Sequence, residues 1–267
     1  MTKSISRREF LKGSLAATGL TVAVSVTPLG YKLLNASQQK GKKLSSFKPN
    51  VWFEITPDNH VTVTIGASEM GQGVKTVLPM IVADELDADW GLVKVVQGPA
   101  NMAFKNPKLP VQMTVASASV RGFYAPLRAV GAAGRAMLIQ AAAATWNVPA
   151  GECKADNGFI KHTKSGKSLT YGQLCLKAAT LPVPKNPPLK KESEFRYMGK
   201  SMPRRDIPDK VQGKPVYAQD VDLPDMHYAV LARPPAYGAK HEFFDSTAAM
   251  AVPGVKKVFP TPNGITV

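Results

Sequence analysis

The stretch GASEMGQGVKT, residues 66–76, constrains the fold of this chain more than any other, because two glycines frame one glutamine between two different apolar patterns. An alternating apolar run precedes it, which is the period of a half-buried strand, and apolar residues at helical spacing follow it. Glycine adopts the backbone conformations of a tight turn at little steric cost. The pattern predicts a strand, a turn at Gly71-Gln72-Gly73 and a helix, and leaves open whether the turn also contacts a ligand.

The rest of the chain mixes strands and helices without a repeat, which predicts an α+β fold. A long Ala-rich helix is predicted at about residues 120–146. It contains Gly131 and Gly134, which weaken a helix but permit the close approach of a neighbouring backbone. The first predicted elements are a hairpin over residues 51–65, the helix after Gly73, a strand within 91–100 and a helix at about 120–146. A hairpin over 152–170 follows, and then a helix from Thr170 with a capping box to Gln173. The last predicted elements are two short strands within 213–235, a short helix at 247–250 and a strand at 255–259.

The N-terminal residues have the composition of an export signal. Arg7 and Arg8 are followed by Phe-Leu-Lys and then by a mildly apolar stretch from residue 15 to 29. Adjacent arginines in this position predict a twin-arginine signal over residues 1–37, and hence a periplasmic location. A retained membrane anchor is the alternative, although the stretch is shorter than the roughly 20 residues that span a bilayer. Residues 38–50 are polar and basic and are interpreted as a tether.

The net charge of +15 is unevenly distributed. Residues 1–43 contain eight Lys/Arg and one acidic residue, hence +7, and residues 181–215 contain nine Lys/Arg and four acidic residues, hence +5. The remaining chain is close to neutral, and aromatic residues are not interleaved with the basic ones. This distribution argues against nucleic-acid binding. We interpret the Pro-rich stretch 181–212 as a solvated basic linker.

Cysteine and histidine are too sparse for a metal cluster. Cys153 and Cys175 are the two cysteines, and the four histidines have no metal-ligand spacing. The two thiols can pair in an oxidising compartment only if their Cα atoms approach closely, which the sequence leaves open.

Three stretches carry a resemblance to a known family: GASEMGQGVKTVLPMIVADEL from Gly66, MTVASASVRG from Met113, and GKPVYAQDVDLPDMHYAVLARPP with FDSTAAMAVPGVKKVF between Gly213 and Phe259. The first two resemble the cofactor-binding loops of the xanthine dehydrogenase/aldehyde oxidase family, and the third resembles its hammerhead domain. In ordinary members the hammerhead precedes the Gly-Gln-Gly segment, whereas here it follows. This order resembles the permuted group of isoquinoline 1-oxidoreductase β subunits.

The resemblance implies a molybdenum cofactor, in bacteria usually molybdopterin cytosine dinucleotide. Glycine N–H groups and a helix N-terminus favour an anion, so the turn is expected to face the cofactor. Glu69, Glu85 and Arg121 are expected to be structural or helix-capping. The residues expected to bind the cofactor are Gly71, Gln72, Gly73, Ala116, Ser117 and Ser119.

The same resemblance implies a domain organisation. Residues 51–180 are expected to form a molybdopterin-binding segment and residues 213–267 an incomplete hammerhead domain. Relatives carry a Gly-Gly-Phe-Gly loop and, near the C-terminus of the large subunit, a glutamate that acts as a base; neither is found in this sequence. The sequence is therefore expected to be the N-terminal part of a large subunit, without a catalytic residue of its own and inactive alone.

The implied activity is that of an oxidoreductase subunit for aldehydes or N-heteroaromatics, with oxygen derived from water. The expected partners are the remaining half of the large subunit, a small subunit with two two-iron two-sulfur clusters, and a cytochrome c acceptor. Such clusters take about four cysteines each, so two cysteines do not hold them. A second interpretation is a non-catalytic periplasmic interaction protein that uses its basic segment on an acidic partner or membrane surface. The substrate is not indicated.

Overall fold

A computed structural model describes residues 24–27, 30–33 and 46–267. The predicted twin-arginine motif, Arg7 and Arg8, lies outside the described residues. Two short strands within the first 37 residues, β1 (Val24–Thr27) and β2 (Gly30–Leu33), pair antiparallel. The chain divides into two compact units, Met1–Gln212 and Gly213–Val267. In the described part of the chain, no helix is long and apolar enough to cross a membrane.

The first sheet of the larger unit contains the predicted hairpin. Strands β3 (Phe53–Ile55) and β4 (Val61–Ile65) pair antiparallel, and β5 (Val93–Gln97) pairs parallel to β4. A parallel neighbour requires a crossover connection. Helix α1 (Val74–Leu86) lies in that connection, so the Gly-Gln-Gly turn lies where β4 passes into α1.

The predicted tether is part of the fold at its C-terminal end. Phe47 is fully buried and exchanges two backbone hydrogen bonds with Ile55, with N···O distances of 2.8 and 2.7 Å. The side chain of Asn50 accepts from the backbone N–H groups of Trp52 and Phe53. Residues 46–50 therefore extend the first sheet. Their short, polar sequence shows no strand periodicity, so the sequence does not predict this pairing.

Helix α2 (Ala118–Trp146) packs against α1, and glycine makes the contact possible. A Cβ at Gly131 would lie 2.7 Å from the carbonyl oxygen of Val82, and one at Gly134 would lie 2.5 Å from Cζ of Phe53. The predicted close approach of a neighbouring backbone is confirmed at Gly131, whereas at Gly134 the close neighbours are the side chains of Phe53 and Leu86. The largest fully buried side chains of the core are those of Phe47, Phe53, Ile55, Leu78, Ile81, Leu86, Phe123, Leu127, Met137, Leu138, Ile160 and Tyr171.

A second antiparallel sheet follows, as predicted. It consists of β6 (Cys153–Asp156), β7 (Phe159–His162) and β8 (Ser168–Thr170), and leads into α3 (Tyr171–Ala178). The capping box between Thr170 and Gln173 is present. Cys153 and Cys175 are both buried and unpaired, and burial raises the pKa of both thiols.

The Pro-rich stretch 181–212 differs from the predicted solvated linker, because it packs on the larger unit. Asp84 of α1 is fully buried, and its carboxylate accepts from three successive backbone N–H groups, those of Arg196 (2.8 Å), Tyr197 (3.1 Å) and Met198 (2.7 Å). A buried carboxylate is costly unless it is hydrogen-bonded, and this stretch supplies the donors. Near its end is the short helix α4 (Ile207–Lys210).

Glu85, the neighbour of Asp84, has a structural role, as predicted. Its side chain is fully buried and binds Arg128 of α2 at 2.6 Å, while Arg135 approaches it to 3.7 Å. It also accepts from the backbone N–H of Lys190 at 3.0 Å. The two adjacent acidic residues of α1 therefore bind α2 and the basic stretch to the same core.

The smaller unit has few regular elements. Strands β9 (Leu231–Ala232), β10 (Phe259–Thr261) and β11 (Gly264–Thr266) form a sheet in the order β10-β11-β9, and helix α5 (Thr247–Met250) lies where it is predicted. One strand replaces the two predicted within 213–235, and the last predicted strand begins at Phe259 instead of ending there. Short 3₁₀ turns in the two units are Trp90–Leu92, Met102–Phe104, Ala150–Glu152, Glu192–Glu194 and Ala218–Asp220.

Hydrophobic side chains of the smaller unit lie at its surface. Among residues 213–267, all of which the structure describes, no hydrophobic side chain is buried. Sequence periodicity fails in this unit because a strand pattern reflects a buried apolar face, and here the buried strand positions, Gly264 and Thr266, are not hydrophobic. The most exposed large apolar side chains are those of Val216, Leu223, Tyr228, Val230, Tyr237 and Phe243.

Candidate cofactor-binding site

The Gly-Gln-Gly turn requires glycine because of its backbone conformation, and not because a side chain would clash with a neighbouring atom. Gly71 has φ +107° and Gly73 has φ +87°, both in the region that side chains disfavour. Gly73 is the residue before the first turn of α1. A Cβ at either glycine would meet no atom within 4 Å. Gly71 and Gln72 are exposed and Gly73 is buried, so the turn is open to solvent at its first two residues.

The N–H groups of the turn are held by an anion of the same chain, Glu69. Its Oε1 accepts from Gly71 (2.8 Å) and Gly73 (3.0 Å), and its Oε2 accepts from Lys75 in the first turn of α1 (2.9 Å). Partial burial raises the pKa of Glu69, but the three N–H donors outweigh burial and hold that pKa below its usual value. Sequence analysis expects a ligand's anion here, whereas the structure places the Glu69 carboxylate against these donors. The structural role expected for Glu69 is confirmed.

Gln72, the central residue of the turn, folds its amide back onto the loop. Its Oε1 accepts from the backbone N–H of Met70 at 2.6 Å, and its Nε2 donates to the carbonyl oxygen of Ser68 at 2.9 Å. Gln72 is exposed. A side-chain amide has two N–H donors and two lone pairs on its oxygen. One donor and one lone pair therefore remain for a ligand after these two bonds.

The second predicted loop has an unusual backbone. Ala116 has φ +55° and Ser117 has φ +49°, so two successive non-glycine residues are left-handed. This conformation costs roughly 1–2 kcal/mol per residue. Arg121 stabilises it by donating to the carbonyl oxygens of Ala116 (3.0 Å) and Ser117 (3.2 Å), which confirms its structural role. Ser119 follows in the first turn of α2 and is half-buried.

Hydrogen bonds join the two loops. The backbone N–H of Ser68 donates to Oγ1 of Thr114 at 2.9 Å, and the side-chain amide of Gln112 donates to the carbonyl oxygen of Gly66 at 3.3 Å. The two segments singled out by sequence thus form one surface, which we call the loop face and define as residues 66–73 and 111–119. Exposed apolar side chains on the loop face are those of Met70, Val111, Met113 and Val115.

A third segment reaches the loop face from the basic stretch. Arg204 donates to the carbonyl oxygen of Gly71 at 2.9 Å, and its Nη2 lies 3.3 Å from Oε1 of Glu69. Its guanidinium is in turn bound by Asp206 at 2.6 and 3.0 Å. The hydrogen bond from Arg204 holds the pKa of Asp206 well below its usual range despite burial. No sequence signal indicates this contact, because residues 181–212 have the composition of a solvated linker.

The loop face fits the edge and plane of a flat organic cofactor. Open space beside Gly71, the remaining amide positions of Gln72 and the hydroxyl of Ser117, which caps no helix N–H, offer polar contacts. The apolar side chains offer contacts for a ring face. Throughout the described residues, no group of three or more His, Cys, Asp or Glu side chains is arranged to hold a metal ion.

A separate cleft of about 630 Å³ lies beside the second sheet and contains none of the predicted cofactor residues. Two ion pairs lie in its wall: Asp87 binds Lys190 at 2.9 Å, and Asp156 binds Arg196 at 2.6 Å. The residues predicted to bind the cofactor lie at the loop face and not at this cleft.

Comparison with known proteins identifies the family of the chain. The molybdopterin cofactor-binding domain family matches residues 3–223. The chain is 34% identical to the isoquinoline 1-oxidoreductase β subunit of Brevundimonas diminuta, in a match that covers the whole chain and 38% of the relative. It is 31% identical to a membrane-bound aldehyde dehydrogenase (pyrroloquinoline-quinone) of Gluconacetobacter polyoxogenes, over 94% of the chain and 32% of the relative.

A third relative is one of the subunits of nicotinate dehydrogenase from Pseudomonas putida, 31% identical over 76% of the chain and 17% of the relative. The chain thus spans less than two fifths of the length of each of these relatives. The family match contains both loops of the loop face, the basic stretch and Arg204. By its family match and by its identity to the isoquinoline 1-oxidoreductase β subunit, the chain belongs to the molybdopterin-binding family of the xanthine dehydrogenase/aldehyde oxidase type.

Proposed function

We propose that this chain forms part of the cofactor-binding subunit of an oxidoreductase that hydroxylates aldehydes or N-heteroaromatic compounds with oxygen from water. The observation that carries the proposal is the joining of the Gly-Gln-Gly turn to the second loop through Ser68 and Thr114. The relatives support the substrate class, since their names refer to isoquinoline, nicotinate and aldehydes.

The proposed cofactor is molybdopterin cytosine dinucleotide, which when bound supplies a molybdenum centre that accepts two electrons from the substrate. The amide of Gln72 orients the cofactor through its remaining donor and lone pair. The hydroxyls of Ser117 and Ser119 donate to cofactor oxygens. Gly71, Gly73 and Ala116 leave room for close approach of the backbone, and the exposed apolar side chains of the loop face exclude water from one side of the ring system.

Other polypeptides complete the proposed enzyme. We propose that the base glutamate belongs to the remaining part of a large subunit, and that residues 213–267 are the hammerhead-type domain of this chain. Two buried cysteines do not supply the roughly four ligands of an iron–sulfur cluster. Electrons therefore leave through a small subunit with two two-iron two-sulfur clusters and reach a cytochrome c. The twin-arginine motif supports export of the folded protein to the periplasm.

The test is to purify the folded chain, alone and co-expressed with candidate partner subunits, and to measure molybdenum, pterin, cytosine nucleotide and pyrroloquinoline quinone. We expect molybdenum, pterin and cytosine nucleotide in equal amounts in the complex, and no turnover of aldehyde or N-heteroaromatic substrates by the chain alone. Gln72→Ala should lower the pterin content, whereas the matched variant Gln140→Ala, at an exposed position of α2, should not. Absence of pterin from every preparation would contradict the proposal, and a bound quinone would point to a different cofactor.

A further inference from the structure

The conformation of the Gly-Gln-Gly turn is not fixed by packing. Gly71 and Gly73 have open space where a side chain would be, and Gln72 is exposed. Glycine gives a chain more backbone freedom than any other residue. A turn with two glycines and no packed side chain therefore needs hydrogen bonds to hold one conformation.

Glu69 provides three of these bonds with a single carboxylate. Its two oxygens accept from residues 71, 73 and 75, so that one side chain spans the whole turn and the first residues of α1. The Glu69 side chain is only 9% exposed, which limits competition from water. Its negative charge at the start of α1 also interacts favourably with the helix dipole.

Arg204 also binds the turn. It binds the carbonyl oxygen of Gly71 and an oxygen of Glu69, while Asp206 fixes its guanidinium through two bonds. The Asp206 side chain is 2% exposed and also binds Lys210 at 2.6 Å. The planar fork of a guanidinium can serve these acceptors together, whereas an ammonium group acts as a single point of charge.

We infer that Glu69 and Arg204 are positioning residues that fix the Gly-Gln-Gly turn and so present the amide of Gln72 to the ligand of the loop face. Neither side chain needs to touch the ligand, since the oxygens of Glu69 are directed to the turn and Arg204 is directed to Gly71 and Asp206. The inference rests on the proposed function for the identity of the ligand. The structure of the turn does not depend on the proposed function.

The experiment measures amide hydrogen exchange in the full chain at single-residue resolution, together with molybdenum and pterin content in the complex. In Glu69→Ala, amide exchange at Gly71, Gly73 and Lys75 should become about tenfold faster or more. This change is expected when hydrogen bonds to a charged acceptor are lost. Amides of β4 should keep the wild-type rate. Glu69→Gln should be intermediate, because one oxygen of the original carboxylate becomes a donor that clashes with an N–H.

Arg204→Lys tests the second residue without removing its charge. It should quicken exchange in the turn and lower the pterin content, whereas Glu192→Gln and Arg233→Lys, both at exposed positions, should change neither. A wild-type complex without pterin would overturn the proposed function alone. Unchanged exchange in the turn of Glu69→Ala would overturn the inference whatever the pterin content, as would a wild-type pterin content in both Glu69→Ala and Arg204→Lys.

Discussion

The backbone N–H of Ser68 lies 2.9 Å from Oγ1 of Thr114 and donates to it, although 46 positions of sequence separate the two residues. This bond joins the turn before α1 to the loop before α2. Both helices belong to one packed pair, so each loop is attached to a rigid element at its C-terminal end. The loop face is therefore a product of how α1 and α2 pack and of one side-chain hydroxyl between their N-terminal loops.

Thr114→Val should reduce cofactor binding with little effect on stability. The substitution keeps the shape of the side chain but leaves the N–H of Ser68 without its acceptor, at a cost of about 1 kcal/mol. Pterin content should fall, as measured after denaturation of the purified complex. Thr163→Val is the matched control, since its hydroxyl donates to the carbonyl oxygen of Glu152 in the second sheet. Equal pterin loss in the two variants would contradict a specific role for Thr114.

Glu85→Ala should destabilise the larger unit strongly. It removes the fully buried partner of Arg128 and leaves a largely buried cation without its carboxylate, which costs about 3–5 kcal/mol. Urea unfolding followed by circular dichroism measures the loss. Glu192→Ala, at an exposed position, should stay within about 0.5 kcal/mol of wild type. A loss of similar size in both variants would argue against the buried ion pair as the cause.

Acid should weaken the attachment of the basic stretch to the turn. The pKa of Asp206 is lowered in the folded protein, chiefly by the hydrogen bond from Arg204. A lowered carboxyl pKa contributes stability that is fully present above the unfolded value, about 3.9, and is lost as the pH falls through the folded value. Between neutral pH and about 4 the contribution is therefore constant, and below about 4 it declines.

Asp206→Asn should flatten this part of the pH profile. Unfolding by urea at pH 7 and at successive values below 4 should show a smaller loss of stability in the variant than in wild type. Asp222→Asn, at an exposed position, should follow the wild-type profile. A wild-type slope in Asp206→Asn would place the acid sensitivity elsewhere.

Amides of the smaller unit should exchange faster than those of the larger one. Residues 213–267 bury no hydrophobic side chain, whereas the larger unit has a continuous core. Regions with few buried apolar contacts open at low free energy. Hydrogen exchange of the full chain should show the slowest amides in β4 and α2, and limited proteolysis should cleave first after residue 213. Comparable protection in both units would contradict this expectation.

Sequence reasoning predicts the elements whose signals are local. The turn at Gly71–Gly73, helices α1 and α2 and the capping box at Thr170 depend on neighbouring residues, and the structure confirms them. The contacts that sequence reasoning misses are between segments distant in sequence. Asp84 and Glu85 appear as ordinary helix residues, and nothing near them indicates that residues 190–198 will supply their donors.

The residues of the candidate site also fall into those with a signal in the sequence and those without one. The resemblance selects Gln72 and Ser117, whose neighbourhood in space the structure supports through the bond between Ser68 and Thr114. Glu69 lies within the quoted motif, two positions before the first glycine, and an acidic residue just before a helix is the signal that indicates its capping role. Arg204 has no such signal, because its position depends on the path of the whole basic stretch.

The carboxylate of Asp84 accepts hydrogen bonds from the backbone of residues 196–198, which follow it by 112 to 114 positions in the chain. During synthesis, α1 leaves the ribosome long before its hydrogen-bond donors do. Until residues 196–198 emerge, the carboxylate of Asp84 lacks its three backbone N–H donors, and burying it between the helices is costly. We therefore expect a nascent chain stalled before residue 196 to remain open to protease cleavage within α1.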